Sequence, residues 1–344
     1  MKKIIVILII IISIIPFIIR KNDYNDITNT LNVNSIGFDY NITTNEYEIY
    51  FYFVNSFNLA NSKISSSNID NLSYVIKVSN NNFEKAFNDI FYKVNEFVNF
   101  SHLKSVLFSI NFLNSKNLNK FYNLIKNNTR FYYNFYIFTT NSSIFDIYNI
   151  DNISDVSAYH TILITPNLLN SYKLVPFNIF ASLIIDSSYS LLIPNVELID
   201  DSLSNNNKNL KSLEINGYSY FNRNNFIKTL IISDNKYYKW FTNLNEQNIV
   251  IDSYNLYVKT FKYKIVNKHK KLIIKYKISA VLISSLENLQ ITDIEEILKE
   301  KISSEIRTMY NNLENENIDI YNLKYYYSDD LIKNVKFEVD LELN

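Results

Sequence analysis

Hydrophobic and polar positions alternate most strictly at the end of the chain. From Val335 to Leu343 every second residue is apolar, with Lys, Glu, Asp and Glu between. A period of two is that of a strand with one buried face. The same period runs through Lys271 to Ser284, where Lys275 and Lys277 alternate with Ile274, Tyr276 and Ile278. That arm folds back on Leu256 to Val266 around a turn at Asn267 to Lys270, giving a sheet with one wet face. Ser212 to Phe221 and Phe226 to Ile232 predict a further hairpin. Between these strands the period changes. Ile294, Ile297, Leu298, Ile302, Ile306, Met309, Tyr310 and Leu313 make one stripe of a helix from about Asp293 to Asn312. Thr292 and Glu295 have the spacing of a capping box at its start. The C-terminal region therefore reads as an antiparallel sheet with one long helix laid on it.

The first half follows another rhythm. Strands are predicted at Val33 to Tyr40 and Tyr47 to Val54 around a turn at Asn41 to Asn45, followed by a Ser/Asn-rich loop, Asn55 to Asn71. A helix is expected from Asn82 to Phe97, with Phe83, Ala86, Phe87, Ile90, Phe91, Val94 and Phe97 on one face, Asn81 as cap and Glu84 as its return partner. Strand Ser105 to Asn111, helix Ser115 to Asn127 and strand Tyr133 to Thr139 follow, the helix turning Leu118, Phe121, Tyr122 and Ile125 inward. This order implies crossover connections. His160 to Thr165 reads as a strand and Phe177 to Ile185 as a helix. The polar stretch around 201–211 reads as a linker. The fold class is α+β with multi-lobed mixed sheets. Residues 1–21 form an N-terminal segment, 22–200 an α/β region of one or two lobes, and 212–344 the sheet-plus-helix region.

Composition narrows the functional classes. Asn, Ile, Lys, Tyr and Phe are abundant, a bias expected from AT-rich coding, so the Asn content is not read as a low-complexity tract. Lys+Arg and Asp+Glu both number 34, and no basic stripe of nucleic-acid-binding size stands out. Lys268-His269-Lys270-Lys271 reads as a solvated hairpin tip. Cysteine is absent, which excludes disulfides, thiolate metal sites and cysteine nucleophiles. Met1-Lys2-Lys3 precedes an apolar run from Ile4 to Ile19, broken only by Ser13 and Pro16, and Arg20 and Lys21 follow. Sixteen helical residues span about 24 Å, a little short of the roughly 30 Å hydrocarbon layer, which snorkelling Lys and Arg can offset. With no small-residue cleavage pattern, this segment reads as an uncleaved membrane anchor rather than a removed signal.

Catalytic signatures are missing. The three histidines, His102, His160 and His269, have no metal-ligand spacing. His102 reads as a hydrogen-bonding residue at an element boundary. Glycine occurs only at 37 and 217, so no glycine-dependent nucleotide cradle or nucleophile elbow exists. The two glycines are expected to hold backbone conformations or close contacts that a Cβ would forbid. The acids Asp293, Glu295 and Glu296 sit where the helix dipole favours carboxylates. The lone tryptophan, Trp240, lies among Tyr237, Tyr238 and Phe241, and reads as core rather than as a stacking surface. No metal, cofactor or catalytic residue is assigned; the chain reads as a binding or assembly protein.

Several phrases, taken in order, resemble the C subunit of bacterial spore germinant receptors, the Ger(x)C family. Asn25-Asp26-Ile27 followed by Ser35-Ile36-Gly37-Phe38-Asp39 is similar to the family's opening, an Asn-Asp turn and a strand ending in Gly-x-Asp, with Tyr47-Glu48-Ile49 as partner strand. Ser101-His102-Leu103-Lys104 resembles its Gly-His-x-Lys segment, with Ser101 in place of glycine. Ile193-Pro194-Asn195-Val196 resembles the Leu-Pro segment, and Gly217-Tyr218-Ser219-Tyr220-Phe221 with Phe226-Ile227 the Gly-x-Ala-x-Phe hairpin. Glu305 and Asp319-Ile320-Tyr321 occupy the closing positions. Family members usually carry a lipidated cysteine shortly before the Asn-Asp turn. Here that position falls near Ile18, and the apolar N-terminus would supply the anchor instead.

The resemblance implies a three-lobed α+β fold and a non-enzymatic subunit on the outer face of the spore inner membrane. It also implies integral-membrane A and B subunits as partners, and a small-molecule nutrient sensed by the complex; ligand contacts are not assigned. Gly37, Asp39, His102, Gly217 and Phe221 are motif positions expected to shape the fold. The chain could be a working subunit or a decayed paralogue. A membrane-anchored extracytoplasmic binding module unrelated to germination is the alternative, and a cell-wall hydrolase using unrecognised carboxylates is a third reading.

Overall fold

β1 (Thr30–Asn41) turns Val33, Ile36 and Phe38 into one core, while Ser35 and Gly37 on its other face meet Tyr148 and Ile144. The computed structural model describes residues 30–54, 73–150, 163, 172–186, 189–205, 208–233, 237–242, 244–268, 271–285, 289–333 and 335–343. The apolar N-terminal segment, Asn25-Asp26-Ile27, the loop Asn55 to Asn71, His160, His269 and, apart from Leu163, the strand expected at His160 to Thr165 lie outside these residues. No described helix is long and apolar enough to cross a membrane.

β1 pairs with β2 (Glu46–Val54), which pairs with β3 (Ser73–Asn80), both antiparallel. The expected helix at 82–97 is two short pieces, α1 (Phe83–Asn88) and α2 (Ile90–Lys93). Its cap is Asn82, not Asn81: the Asn82 side chain accepts from Lys85 N. The chain is extended at Val94 and enters β4 (Phe97–Asn99), parallel to β1, which leaves Phe97 exposed rather than on the helix face. β5 (Ser105–Ser109) is shorter than expected because Ser109 caps α3 (Ile110–Asn114) by accepting from Phe112 N. α4 (Leu118–Asn127) crosses over to β6 (Tyr136–Thr140), parallel to β5. α5 (Ile144–Tyr148), β7 (Val175–Pro176) and α6 (Phe177–Ile185) follow.

Residues 201–211 do not form a linker. β8 (Ser190–Asn205) and β9 (Lys208–Asn222) run through them as one hairpin, with Asp200 opposite Lys211 and Asn205 opposite Lys208. Pairing in that ladder satisfies the backbone of the stretch whatever its hydrophobic pattern. With β10 (Asn225–Ile231), these strands complete a sheet ordered β10-β9-β8-β6-β5-β1-β2-β3, onto which β4 and β7 also pair. The first sheet thus extends past the expected division at 212.

On one face of this sheet Ile36, Phe38, Ile49, Phe51, Val106, Phe108 and Ile137 join α1, α4 and α6 in an aromatic-rich core. There Phe38 lies 5.2–5.8 Å, ring to ring, from Phe83, Phe108, Phe112 and Phe121. The opposite face carries Tyr50, Tyr52, Leu107 and Phe138 against α5.

The second sheet is β11 (Gln247–Ile251), β12 (Tyr254–Lys268), β13 (Lys271–Ser285) and β14 (Lys336–Leu343). It is antiparallel except at β14, which runs parallel to β13 after the long helix α7 (Ile291–Asn315). α7 starts at Ile291 with Gln290 as cap, so the expected capping box does not form. Glu295 instead accepts from Lys299 Nζ at 2.7 Å and from Leu343 N at 3.3 Å. Ile297 is exposed, and the stripe against the sheet is Ile294, Leu298, Ile302, Ile306, Met309 and Leu313. Leu192, Tyr218, Tyr220 and Leu230, from the outer strands of the first sheet, join this second core. The two sheets therefore share β8, β9 and β10 as a common wall.

Candidate functional site

The motif positions are not gathered into one site. β1, with Gly37 and Asp39, and β9, with Gly217 and Phe221, are four strands apart in the sheet, about 19 Å at normal strand spacing. Each position has its own local reason.

Neither glycine has positive φ. A Cβ on Gly37 would lie well inside contact distance of Ile144 Cγ2 and 3.3 Å from the Tyr148 hydroxyl, so its bareness lets α5 seat on the sheet. Beside it, Tyr148 shares a 2.8 Å hydrogen bond with Ser35 Oγ, which accepts another from Ser105 Oγ. Gly217 sits at a β-bulge, where Asn195 faces Gly217 and Val196 faces Ile215, with Asn216 extra. A Cβ there would strike the backbone carbonyl of Leu230. Close approach, not unusual backbone conformation, accounts for both residues.

Asp39 accepts from Tyr40 N at 2.8 Å and from Ser109 Oγ, so it steadies the serine that caps α3. His102 lies exposed in the turn between β4 and β5, while the adjoining backbone is held by Lys104 N donating to Asn34 O at 2.9 Å. Phe221 is fully buried, its ring 5.7 Å from Phe226 across the hairpin.

Three polar clusters join residues of the motif phrases through contacts that were not legible in the sequence. Parallel strands β6 and β8 meet at one register pair, Thr139 with Asn195. Side chains bridge the join: Thr139 Oγ1 is 3.1 Å from Asn195 Oδ1 and 2.7 Å from Ser219 Oγ, and Asn195 Nδ2 donates to Glu197 and Asn216, both at 2.9 Å. A second cluster ties the lobes. Asn322, left-handed at φ 55°, accepts from Ser190 N at 2.7 Å and donates to Ser190 O at 2.9 Å. Tyr220 OH accepts from Asp319 N at 3.0 Å and donates to Ser190 Oγ at 3.2 Å. Asp319 in turn accepts from the amides of Leu323 and Lys324. The third lies under α7. Trp240 is fully buried, and its indole N–H donates to Glu305 at 2.8 Å, with Lys239 Nζ 3.3 Å from the same oxygen. Trp240 is therefore core, as expected. The sequence signals were a buried-stripe position occupied by Glu305 and an Asn suited to a left-handed turn.

The shifts at two of the ionisable groups have structural causes. Burial raises the Glu48 carboxyl, but hydrogen bonds from Lys77, Tyr50 and Asn41 outweigh it and hold Glu48 below the ordinary glutamate value. Tyr321 is pushed well above the ordinary phenol value, first by burial and then by Tyr276, to which its hydroxyl is hydrogen-bonded. Among the described residues no group of three or more His, Asp or Glu could hold a metal ion. Nor do those clusters aim a nucleophile and a base into a cleft.

The comparisons bear on the lineage directly. The family described as spore germination protein N-terminal domain matches residues 23–198. No curated protein matches the chain. A solved structure, entitled crystal structure of the GerBC protein, aligns over 90% of this chain and 97% of its own at 14% identity, with a TM-score of 0.47. The family match spans the Gly-x-Asp strand, the Ser-His-x-Lys turn and the Leu-Pro-like segment that motivated the resemblance. The chain belongs to the Ger(x)C family of spore germination proteins.

Proposed function

We propose that this chain is a non-enzymatic subunit of a nutrient germinant receptor, required to trigger spore germination. The observation that carries this reading is the family match over residues 23–198. In this reading the folded region lies on the outer face of the spore inner membrane. It is held there by the apolar N-terminal segment, beside integral-membrane subunits of the A and B types. The nutrient is sensed by the assembled complex, through a ligand-shifted conformational equilibrium rather than bond chemistry. Gly37, Asp39, His102, Gly217 and Phe221 act by shaping the fold. The shared wall of β8, β9 and β10 and the Asn322–Ser190 tie support a body that transmits docking as one unit. Deleting the gene, together with any paralogue, tests the proposal. Loss of nutrient-triggered germination with normal spore yield is expected; unchanged germination would overturn it.

A further inference from the structure

The chain is neutral overall, but its charge is not spread evenly. Residues 254–285 hold eight lysines and no Arg, Asp or Glu, a net +8; the remaining 26 basic residues (34 − 8) face 34 acids, a net −8. This segment is the β12–β13 hairpin.

Its register sets lysine against lysine three times: Lys262 opposite Lys277, Lys264 opposite Lys275, and Lys268 opposite Lys271. All six project from the face away from α7, since the pairs lie in phase with one another and out of phase with the core residues Phe261, Ile274, Tyr276 and Ile278. Like charges directly opposite on one face are destabilising. Among the described residues compensation comes from β14, where Glu338 is 2.5 Å from Lys275 and Asp340 stands beside Lys277. β14 begins its pairing at Ile273, so neither acid reaches the Lys268–Lys271 row. Exposed edge strands are often blunted with lysine. That accounts for Lys262 and Lys264, because β11 covers β12 only as far as Val258. It does not account for Lys275 and Lys277, which lie on an inner strand. A concavity of about 850 Å³ is lined in part by Lys262, Lys264, Lys275, Lys277, Glu338 and Asp340.

We propose that the basic face of the β12–β13 hairpin docks on an anionic phospholipid surface. The rows extend over about 20 Å, and such an array matches a diffuse layer of headgroup phosphates better than one directional partner. The choice of a membrane rather than another polyanion rests on the membrane placement proposed above. Docking relieves the repulsion that the isolated sheet retains.

The absence of cysteine makes a clean test possible. An environment-sensitive dye is attached to Val266→Cys, which lies in phase with Lys264 and Lys268, in the full-length chain, and vesicles of phosphatidylcholine are compared with vesicles that also contain phosphatidylglycerol. A headgroup-attached quencher reports contact of the hairpin tip, independently of any insertion by the N-terminus. Quenching is expected on the anionic vesicles only, and it should fade at high salt as the screening length falls below its ~10 Å value at 0.1 M. Lysines near an anionic surface contribute about fivefold each. The variant Lys262→Gln/Lys264→Gln/Lys268→Gln/Lys271→Gln should therefore lower the contact equilibrium on the order of several hundredfold. Its melting temperature should stay level or rise, because like-charge rows are removed. Equal quenching on both vesicle types, no quenching on either, an unaffected variant, or loss of contact to soluble glycerol phosphate would each overturn the proposal. The assay contains no other receptor subunit, so its failure is distinct from failure of the receptor reading.

Discussion

Replacing Glu305 by alanine tests how the second lobe is held together. The Glu305 side chain is 7% exposed, accepts from the Trp240 indole at 2.8 Å and lies 3.3 Å from Lys239 Nζ. Truncation removes a hydrogen bond to a charged group, worth about 1.5–3 kcal/mol, and leaves a buried N–H without its partner. Lys239 adds less to the loss, because its ammonium keeps the Val250 carbonyl as a partner. The expected cost is about 3 kcal/mol, which for a domain of this size lowers the melting temperature by roughly 6–12 °C. Glu305→Gln keeps an oxygen for the indole and loses only the ion pair, so its cost should be about 1 kcal/mol. Trp240 is the only tryptophan, so its fluorescence follows this lobe alone during urea unfolding of the detergent-solubilised chain. A Glu305→Ala midpoint within about 0.5 kcal/mol of the parent, or a Gln variant as weak as the Ala variant, would refute the reasoning.

The remaining expectations follow the same logic. Gly217→Ala should cost about 3 kcal/mol, since the new methyl meets the Leu230 carbonyl in the backbone, whereas Gly37→Ala should cost about half that because the Ile144 side chain can turn aside; thermal melting ranks them. Glu48 has a lowered folded pKa, so the stability it contributes is present above 4.5 and lost as pH falls through the folded value; Glu48→Gln should flatten that acid limb in pH-dependent melting. Tyr321 has a raised pKa, so its contribution is present below 10 and is lost as pH rises above it; Tyr321→Phe should reduce the alkaline loss of stability. Asn322→Ala removes both hydrogen bonds to Ser190 and places a Cβ-only side chain at positive φ, costing about 2–3 kcal/mol by denaturant titration.

Long periodic segments were legible because burial on one face repeats in the sequence. α6 was expected at Phe177 to Ile185 and is found there. The β9–β10 and β12–β13 hairpins are likewise in place, and the strand expected from Val335 begins at Lys336. Where a local hydrogen bond competes with periodicity, the sequence misled. Ser109 ends β5 early by capping α3, and Val94 breaks a helix whose apolar spacing continues to Phe97. The polar stretch at 201–211 looked like a linker because strand pairing there does not depend on hydrophobic alternation. The motif residues were visible one by one, but their contacts were not. Gly37 and Gly217 announced themselves by rarity, yet only the fold shows that Ile144 and Leu230 press against them. The three lysine pairs depend on register, and a one-residue slip would have removed them.

The most direct test of the receptor reading is affinity purification of the tagged full-length chain from detergent-solubilised spore inner membranes, with mass spectrometry of the bait and its companions. Membership of a germinant receptor predicts recovery of A- and B-type subunits with a bait whose N-terminal segment is intact. Recovery of the chain alone, in soluble form or only from vegetative membranes, would contradict it.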